Sequence, residues 1–391
     1  MNGVTKERNI AMRSLHGSMI AASLALVPAA TACHFNASNS ETSAGSARVG
    51  IINSLTGARA VIGQSYQRGY ALALEEINAE GGVFGKPLEL DIYDDQSKPD
   101  LGMQGVSKLV DQDHVPVVIG SGGSEGVLVL VPAMTSKEVP LIVPGATADN
   151  IIEQRSPWIF RLCAGSANVA AAVVDFLKNH GAPKTMAVVY ENSNFGVSAA
   201  VAMGKAAAEG GIVVVDDEAY NAGAQSYSPM LQRVKERKPE VVFFASYVND
   251  ATALMRQSRQ VGLDARLFTA ATGGFSTPEF PTEDKGAGRD AEYTIAASQW
   301  VPQPKWLGSI AFDEKFVARY GSHPAYHSMQ AYAALKAIRL DTPYGPIHFA
   351  DNGQNEHPVF FTQVQNGKHA VVWPRDLAVA PVLETPPWSA R

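Results

Sequence analysis

The chain has 391 residues, 46% hydrophobic and 18% charged, with 34 Gly, 23 Pro and two Cys, an ordinary globular composition. Its length exceeds the ~250–300 residues at which a single core stops growing, which calls for two domains. The net charge of −6, without a basic stripe in either half, argues against a nucleic-acid partner, and two cysteines cannot supply a disulfide framework.

The first segment reads as an export signal. Lys6, Arg8 and Arg13 precede an apolar stretch from Met19 to Ala30 that ends in Ala30-Thr31-Ala32-Cys33. The stretch is shorter than the ~20 residues a bilayer requires, so residues 1–32 are expected to be a cleaved signal peptide. Small residues followed by Cys33 resemble a bacterial lipobox, which predicts lipidation at Cys33; the alternative is a soluble periplasmic protein with an unmodified thiol. Residues 33–47, rich in Ser, Asn, Thr, Ala and Gly, have the composition of a flexible tether. Loss of residues 1–32 leaves a net charge of −8.

Beyond Ala47, short apolar runs alternate with helical periodicity. Strands are expected at Val49–Asn53, Leu88–Tyr93, Pro116–Ile119, Leu141–Val143, Ile159–Leu162, Met186–Tyr190, Ile212–Val215, Val241–Ala245, Leu267–Ala270 and Thr294–Ser298. Tyr70, Ala73, Leu74 and Ile77 mark one helix face, and Ala251, Leu254, Met255 and Val261 another. The strands are continuous rather than alternating apolar runs, as in parallel sheets covered on both faces. The expected fold class is α/β, with two doubly wound parallel-sheet lobes. Ligands of such sheets sit beyond the carboxyl ends of the strands. Those loops here are rich in Gly and hydroxyls and poor in charge: Ser54-Leu55-Thr56-Gly57, Gly120 to Gly126, Pro144-Gly145-Ala146-Thr147, Glu191 to Gly196, Ser246-Tyr247 and Thr272-Gly273-Gly274.

Two of these loops echo enzyme motifs. Gly122-Gly123-Ser124-Glu125-Gly126 is a literal G-x-S-x-G, with His327 and His348 downstream, but Ser124 lies five residues past Ile119, farther than a nucleophile elbow allows. The third Gly of G-x-G-x-x-G would fall on Glu125, so no nucleotide site is read. His323 and His327 stand four apart with Pro324 between them; they read as surface or hinge histidines, and no metal or cofactor site is expected. Cys163 reads as a small buried hydrophobe.

Ser54-Leu55-Thr56-Gly57, Glu75-Glu76-Ile77-Asn78-Ala79-Glu80-Gly81-Gly82, Tyr93-Asp94-Asp95-Gln96-Ser97, Pro140 to Thr147, Tyr220-x-x-Gly223 and Arg256-Gln257-x-x-x-x-Gly262, in this order, resemble the leucine/isoleucine/valine-binding-protein family of periplasmic receptors. The resemblance implies type I periplasmic-binding-protein architecture, with two lobes joined by a three-crossover hinge. The lobes would comprise residues 48–165 with 293–355, and 166–292 with 356–391. It implies a monomeric, non-enzymatic receptor that closes on a small ligand and delivers it to the permease of an ABC transporter. A sensor without transport is the rival reading.

By position in the matching motifs, Ser124 and Thr147 would offer hydroxyls to a ligand carboxylate beside backbone groups of Gly145. Ile62 would form an apolar wall, and Phe195, Tyr247 and Thr272 would close from the second lobe. The bland readings are helix capping for Ser124 and Thr147, and packing for Ile62, Phe195 and Tyr247. Amino acid binders of the family carry an acidic residue where Ala271-Thr272-Gly273-Gly274 stands here. Glu125 and Asp250 read as solvated carboxylates rather than substitutes, so a keto acid or aromatic acid is as admissible as an amino acid. Family members also have a longer stretch where Lys336 to Leu340 precede Asp341-Thr342-Pro343-Tyr344-Gly345-Pro346. The end from Pro381 reads as a loose tail or strap.

Overall fold

A computed structural model describes residues 45–337, 343–344 and 347–391. The signal peptide, Cys33, nearly all of the tether and most of the shortened segment around residues 336–346 lie outside the described residues. Ala47, read above as tether, is the first residue of a strand.

The first sheet holds β1 (Ala47–Asn53), β2 (Leu88–Asp94), β3 (Val118–Ile119), β4 (Leu141–Val143) and β5 (Ile159–Arg161), all parallel, in the order β2-β1-β3-β4-β5. The second holds β6 (Thr185–Glu191), β7 (Val213–Tyr220), β8 (Val241–Ala245), β9 (Leu267–Ala270) and β10 (Ile295–Ser298), parallel in the order β10-β9-β8-β6-β7. An antiparallel hairpin, β11 (Phe360–Gln365) and β12 (Lys368–Trp373), extends it beside β10. Interleaved are α1 (Ala60–Ala79), α2 (Pro99–Val106), α3 (Ser124–Lys137), α4 (Asn150–Glu153), α5 (Ser166–Asn179), α6 (Asn194–Glu209), α7 (Ser228–Arg237), α8 (Val248–Val261), α9 (Ser309–Tyr320) and α10 (Tyr326–Lys336).

Alternate strand residues point to opposite faces, and both faces are dry. Ile51 of β1 joins a cluster with Tyr66, Tyr70 and Ile77 of α1, while Ile52 joins one with Val127 and Leu130 of α3. In β8, Phe243 packs toward α5 and α6, and Phe244 toward α7 and α8. Two apolar faces explain the unbroken hydrophobic runs. At ~25 cal/mol per Å², burial of such side chains dominates the stabilisation. Helix α10 lies so close to α1 that a Cβ at Gly69 would meet the carbonyl oxygen of Ser328, so only glycine fits there.

The chain passes between the sheets three times. Gln299 holds the first and second passages together, its Oε1 accepting from Ala164 N–H at 2.8 Å. Asn355 Nδ2 donates to Leu162 O at 3.0 Å, and Gln354 Nε2 to Cys163 O at 2.8 Å, which binds the third. Buried Arg161 adds Nε to Gln354 Oε1 at 2.6 Å and Nη1 to Ala148 O at 2.7 Å. Two strand readings need correction. Residues 293–298 were assigned to the first lobe, yet Ile295 and Ala296 pair with Thr269 and Ala270 of the second sheet, which puts the passage at Gln299. The hairpin β11–β12 was not read at all. The C-terminal strap is fixed rather than loose: Trp388 Nε1 donates to Leu263 O at 2.7 Å, and the Arg391 guanidinium lies 3.6 Å from the Trp388 ring centroid.

Candidate functional site

Both parallel sheets have strand orders that reverse at one point, between β1 and β3 and between β6 and β8. Crevices form where successive connections leave in opposite directions, at the carboxyl ends of those strands. The loops there are Ser54–Arg59, Gly120–Gly123, Asn192–Ser193 and Ser246–Tyr247. The structure brings them face to face.

Ile62, Ser124, Gly145, Thr147, Phe195, Tyr247 and Thr272 line one cavity between the lobes, completed by Gly122, Gly273, Tyr326 and His327. Ser124 is the first residue of α3, after an extended Gly123. Its Oγ does not cap its own helix but accepts from Ala148 N–H at 3.2 Å, tying the loop after β3 to the loop after β4. Gly145 lies beneath the Tyr66 hydroxyl and the Gln330 amide, where a Cβ would collide with both. Thr147 is 4% exposed and its carbonyl accepts from Ser166 N–H at 2.8 Å. From the second lobe, the Phe195 and Tyr247 rings meet at 5.1 Å between centroids, and the Arg59 guanidinium reaches from the first lobe to 5.6 Å from the Tyr247 ring centroid. Tyr326, at the start of α10, is buried in the cavity wall with Thr272 of the opposite lobe, and burial raises its phenol above the ordinary value. The cavity is closed down to about 10 Å³, room for one water.

Carboxylates stand beside the cavity rather than in its wall. Glu125 spans the cleft: Arg59 Nη1 donates to Oε2 at 3.2 Å, and Phe195 N–H of the other lobe donates to Oε1 at 3.2 Å. Asp250 is 6% exposed and accepts from Tyr227 Oη at 2.8 Å and Gly223 N–H at 3.1 Å. Neither is the solvated carboxylate expected from sequence; each is held by hydrogen bonds that compensate its burial. Glu191, at the end of β6, is pushed up to about 7 by burial, then by the charges of Glu125 and Asp250. Arg59, Glu125 and Glu191 line a groove of about 480 Å³ with Asn192, Ser193 and Asn194.

His323 is exposed and paired with Asp313 at 2.9 Å, a surface histidine as expected. His327 departs from that reading: it is 4% exposed and forms part of the cavity wall. Its Nδ1 has no partner among the described residues, and the only hydrogen bond of Ser124 Oγ there is to Ala148 N–H, so the Ser–His bond of a hydrolase is not formed. Among the described residues no group of His, Cys, Asp and Glu could hold a metal ion, and no helix is long and apolar enough to cross a membrane. Tyr326, His327 and Arg59 were not read as site residues. The one signal was the Ala325-Tyr326-His327 opening of a helix buried on all sides.

The family profile described as periplasmic binding protein matches residues 46–338. The chain is 27% identical over 376 residues to Leu/Ile/Val-binding protein homolog 8 of Brucella abortus, covering 85% of this chain and 92% of that one. It is 29% identical over 326 residues to the leucine-, isoleucine-, valine-, threonine- and alanine-binding protein of Pseudomonas aeruginosa, covering 78% and 86%. Among solved structures it superposes on a branched-chain amino acid transporter substrate-binding protein of Streptococcus pneumoniae in complex with isoleucine, with a TM-score of 0.76, 21% identity and coverage of 87% and 100%. An ABC transporter solute-binding protein of Rhodopseudomonas palustris in complex with benzoate gives 0.75, 19%, and coverage of 87% and 98%. These two structures share the type I periplasmic-binding-protein fold described above.

Proposed function

The chain belongs to the periplasmic binding protein family, an exported family of solute binders rather than enzymes, and from that premise we propose that it is the receptor of an ABC importer, closing two lobes around a small carboxylate-bearing ligand. Amino acids, keto acids and aromatic acids are the candidate ligands. The observation that carries this reading is the cavity at the two facing switch points, with the hydroxyls of Ser124, Thr147 and Thr272 beside the apolar walls of Ile62, Phe195 and Tyr247. Hydrogen bonds to a charged group are worth roughly 1.5–3 kcal/mol each, so a few hydroxyl and N–H donors hold a carboxylate without a cation. Closing the aromatic pair over it removes water and strengthens those bonds.

In this reading Cys33 carries the lipid anchor, the body acts as a monomer, and the closed form docks on a permease. A thermal-shift screen of residues 40–391 against the three acid classes tests the receptor role. A ligand at 100 times its dissociation constant adds about 2.7 kcal/mol. The role is supported if one class raises the melting midpoint and Ser124→Ala with Tyr247→Ala abolishes the rise. A cooperative melt that no acid moves contradicts it.

A further inference from the structure

Among the described residues, His327 supplies the one buried side-chain atom of the cavity wall that lacks a hydrogen-bond partner. It is 4% exposed, its ring is held 3.9 Å from the Tyr326 ring and edge-on to Tyr66 at 5.6 Å, and its Nδ1 is buried with no hydrogen-bond partner among the described residues. A buried nitrogen of this kind is costly unless something satisfies it. Burial also pushes its pKa down to about 3, so the imidazole is neutral at every physiological pH. A neutral imidazole offers one donor and one acceptor.

The other polar side chains of the wall, Ser124, Thr147, Thr272 and Tyr326, are neutral hydroxyls. The nearby carboxylates Glu125 and Asp250 already accept the bonds described above. A ligand ammonium would therefore enter a closed cavity with no anion in its wall, and a buried cation without a counter-charge is penalised heavily. An oxygen at the same carbon asks only for one neutral hydrogen bond.

Resting on the receptor reading above, we infer that His327 is a ligand-recognition residue whose Nδ1 hydrogen-bonds an oxygen on the carbon next to the ligand's carboxylate, and that the ligand is a 2-oxo or 2-hydroxy acid rather than an amino acid. Sites built to hydrogen-bond a substrate group discriminate strongly against analogues lacking it, because the site's own polar group is then left unpaired.

Two isosteric series test this by titration calorimetry at pH 7. One is 4-methyl-2-oxopentanoate, 2-hydroxy-4-methylpentanoate, leucine and 4-methylpentanoate. The other is phenylpyruvate, phenyllactate, phenylalanine and 3-phenylpropionate. In at least one series the oxo or hydroxy acid should bind about tenfold or more tighter than both the amino acid and the unsubstituted acid. His327→Phe, which keeps a ring of similar size, should bring the oxo-to-unsubstituted ratio within twofold, and His327→Gln should retain part of the preference. In wild-type protein labelled with 15N-histidine, the Nδ1 resonance that disappears in His327→Gln should shift on saturation with the oxo acid.

An amino acid that binds tighter than its oxo analogue, a tenfold preference surviving in His327→Phe, or an Nδ1 resonance that does not move would overturn the inference and leave the receptor reading intact. Failure of all eight acids to bind wild-type protein would overturn both.

Discussion

Replacing Glu125 by alanine removes the carboxylate that bridges the two lobes. Its Oε1 accepts from Phe195 N–H across the cleft, and its Oε2 pairs with Arg59. Only 11% of the Arg59 side chain and 17% of the Glu125 side chain are exposed, so solvent screening is modest and the pair behaves more like a buried than a surface one. The Arg59 bond lies within the first lobe and persists when the lobes part, whereas the Phe195 bond exists only when they meet. One hydrogen bond to a charged acceptor is worth roughly 1.5–3 kcal/mol, so the closed form should lose about 10- to 100-fold in population relative to the open one. Apparent ligand affinity scales with the competent fraction. The ligand found by thermal shift should therefore bind Glu125→Ala roughly 10- to 100-fold more weakly, mostly through faster dissociation. Glu125→Gln, which keeps an oxygen but not the charge, should lose only about fivefold. Calorimetry gives the affinities, stopped-flow fluorescence the rates, and the radius of gyration from X-ray scattering the degree of closure. An affinity for Glu125→Ala within twofold of wild type would refute the bridge as a determinant of closure.

Two further outcomes are expected. Glu191 has a pKa of about 7 in the folded chain against 4.5 for an ordinary glutamate. Between those values the unfolded chain has released the proton that the folded chain keeps, so stability falls as pH rises through this window, and the penalty is complete above 7. Urea unfolding at pH 4.5, 6 and 7.5 should show Glu191→Gln gaining on wild type by roughly 3 kcal/mol across the window; a constant difference would contradict it. Cys163 is fully buried, its Sγ donates to Ala146 O, and burial pushes the thiol up to about 12. It should resist thiol reagents at pH 8 in the native protein and react fully in guanidinium, and rapid native labelling would count against this packing.

Most of the parallel architecture is legible in the chain because burial on two faces leaves runs such as Val241–Ala245 without a polar residue. The hairpin β11–β12 is harder to see. Asn366-Gly367 is a strong turn signal, but Gln363 and Gln365 interrupt the apolar run before it. Gln363 is fully buried, and its Nε2 donates to the distant carbonyls of Tyr293 and Leu383. The loops of the site follow strands that the pattern reveals, whereas Ser124, Thr147 and Tyr247 within those loops stand out only through the family resemblance. His327 does not stand out, because its setting is made by Tyr66 from the other end of the lobe. Helix α10 has no polar face to mark which side looks into the cleft. Glu125 and Asp250 were misread for a related reason: the partners that make their burial tolerable, Phe195 N–H and Tyr227 Oη, are remote in the chain.

The path of the backbone places β1 in one sheet and secures the strap ending at Arg391 against the other, through Trp388 and Leu263. The two sheets share no covalent link beyond three passages already stitched together by Gln299, Gln354 and Asn355. A fluorescent donor fused ahead of Ser46 and an acceptor fused after Arg391 would therefore ride on different halves of the jaw. Energy transfer between them would read the jaw angle directly, with every residue of the cleft left untouched.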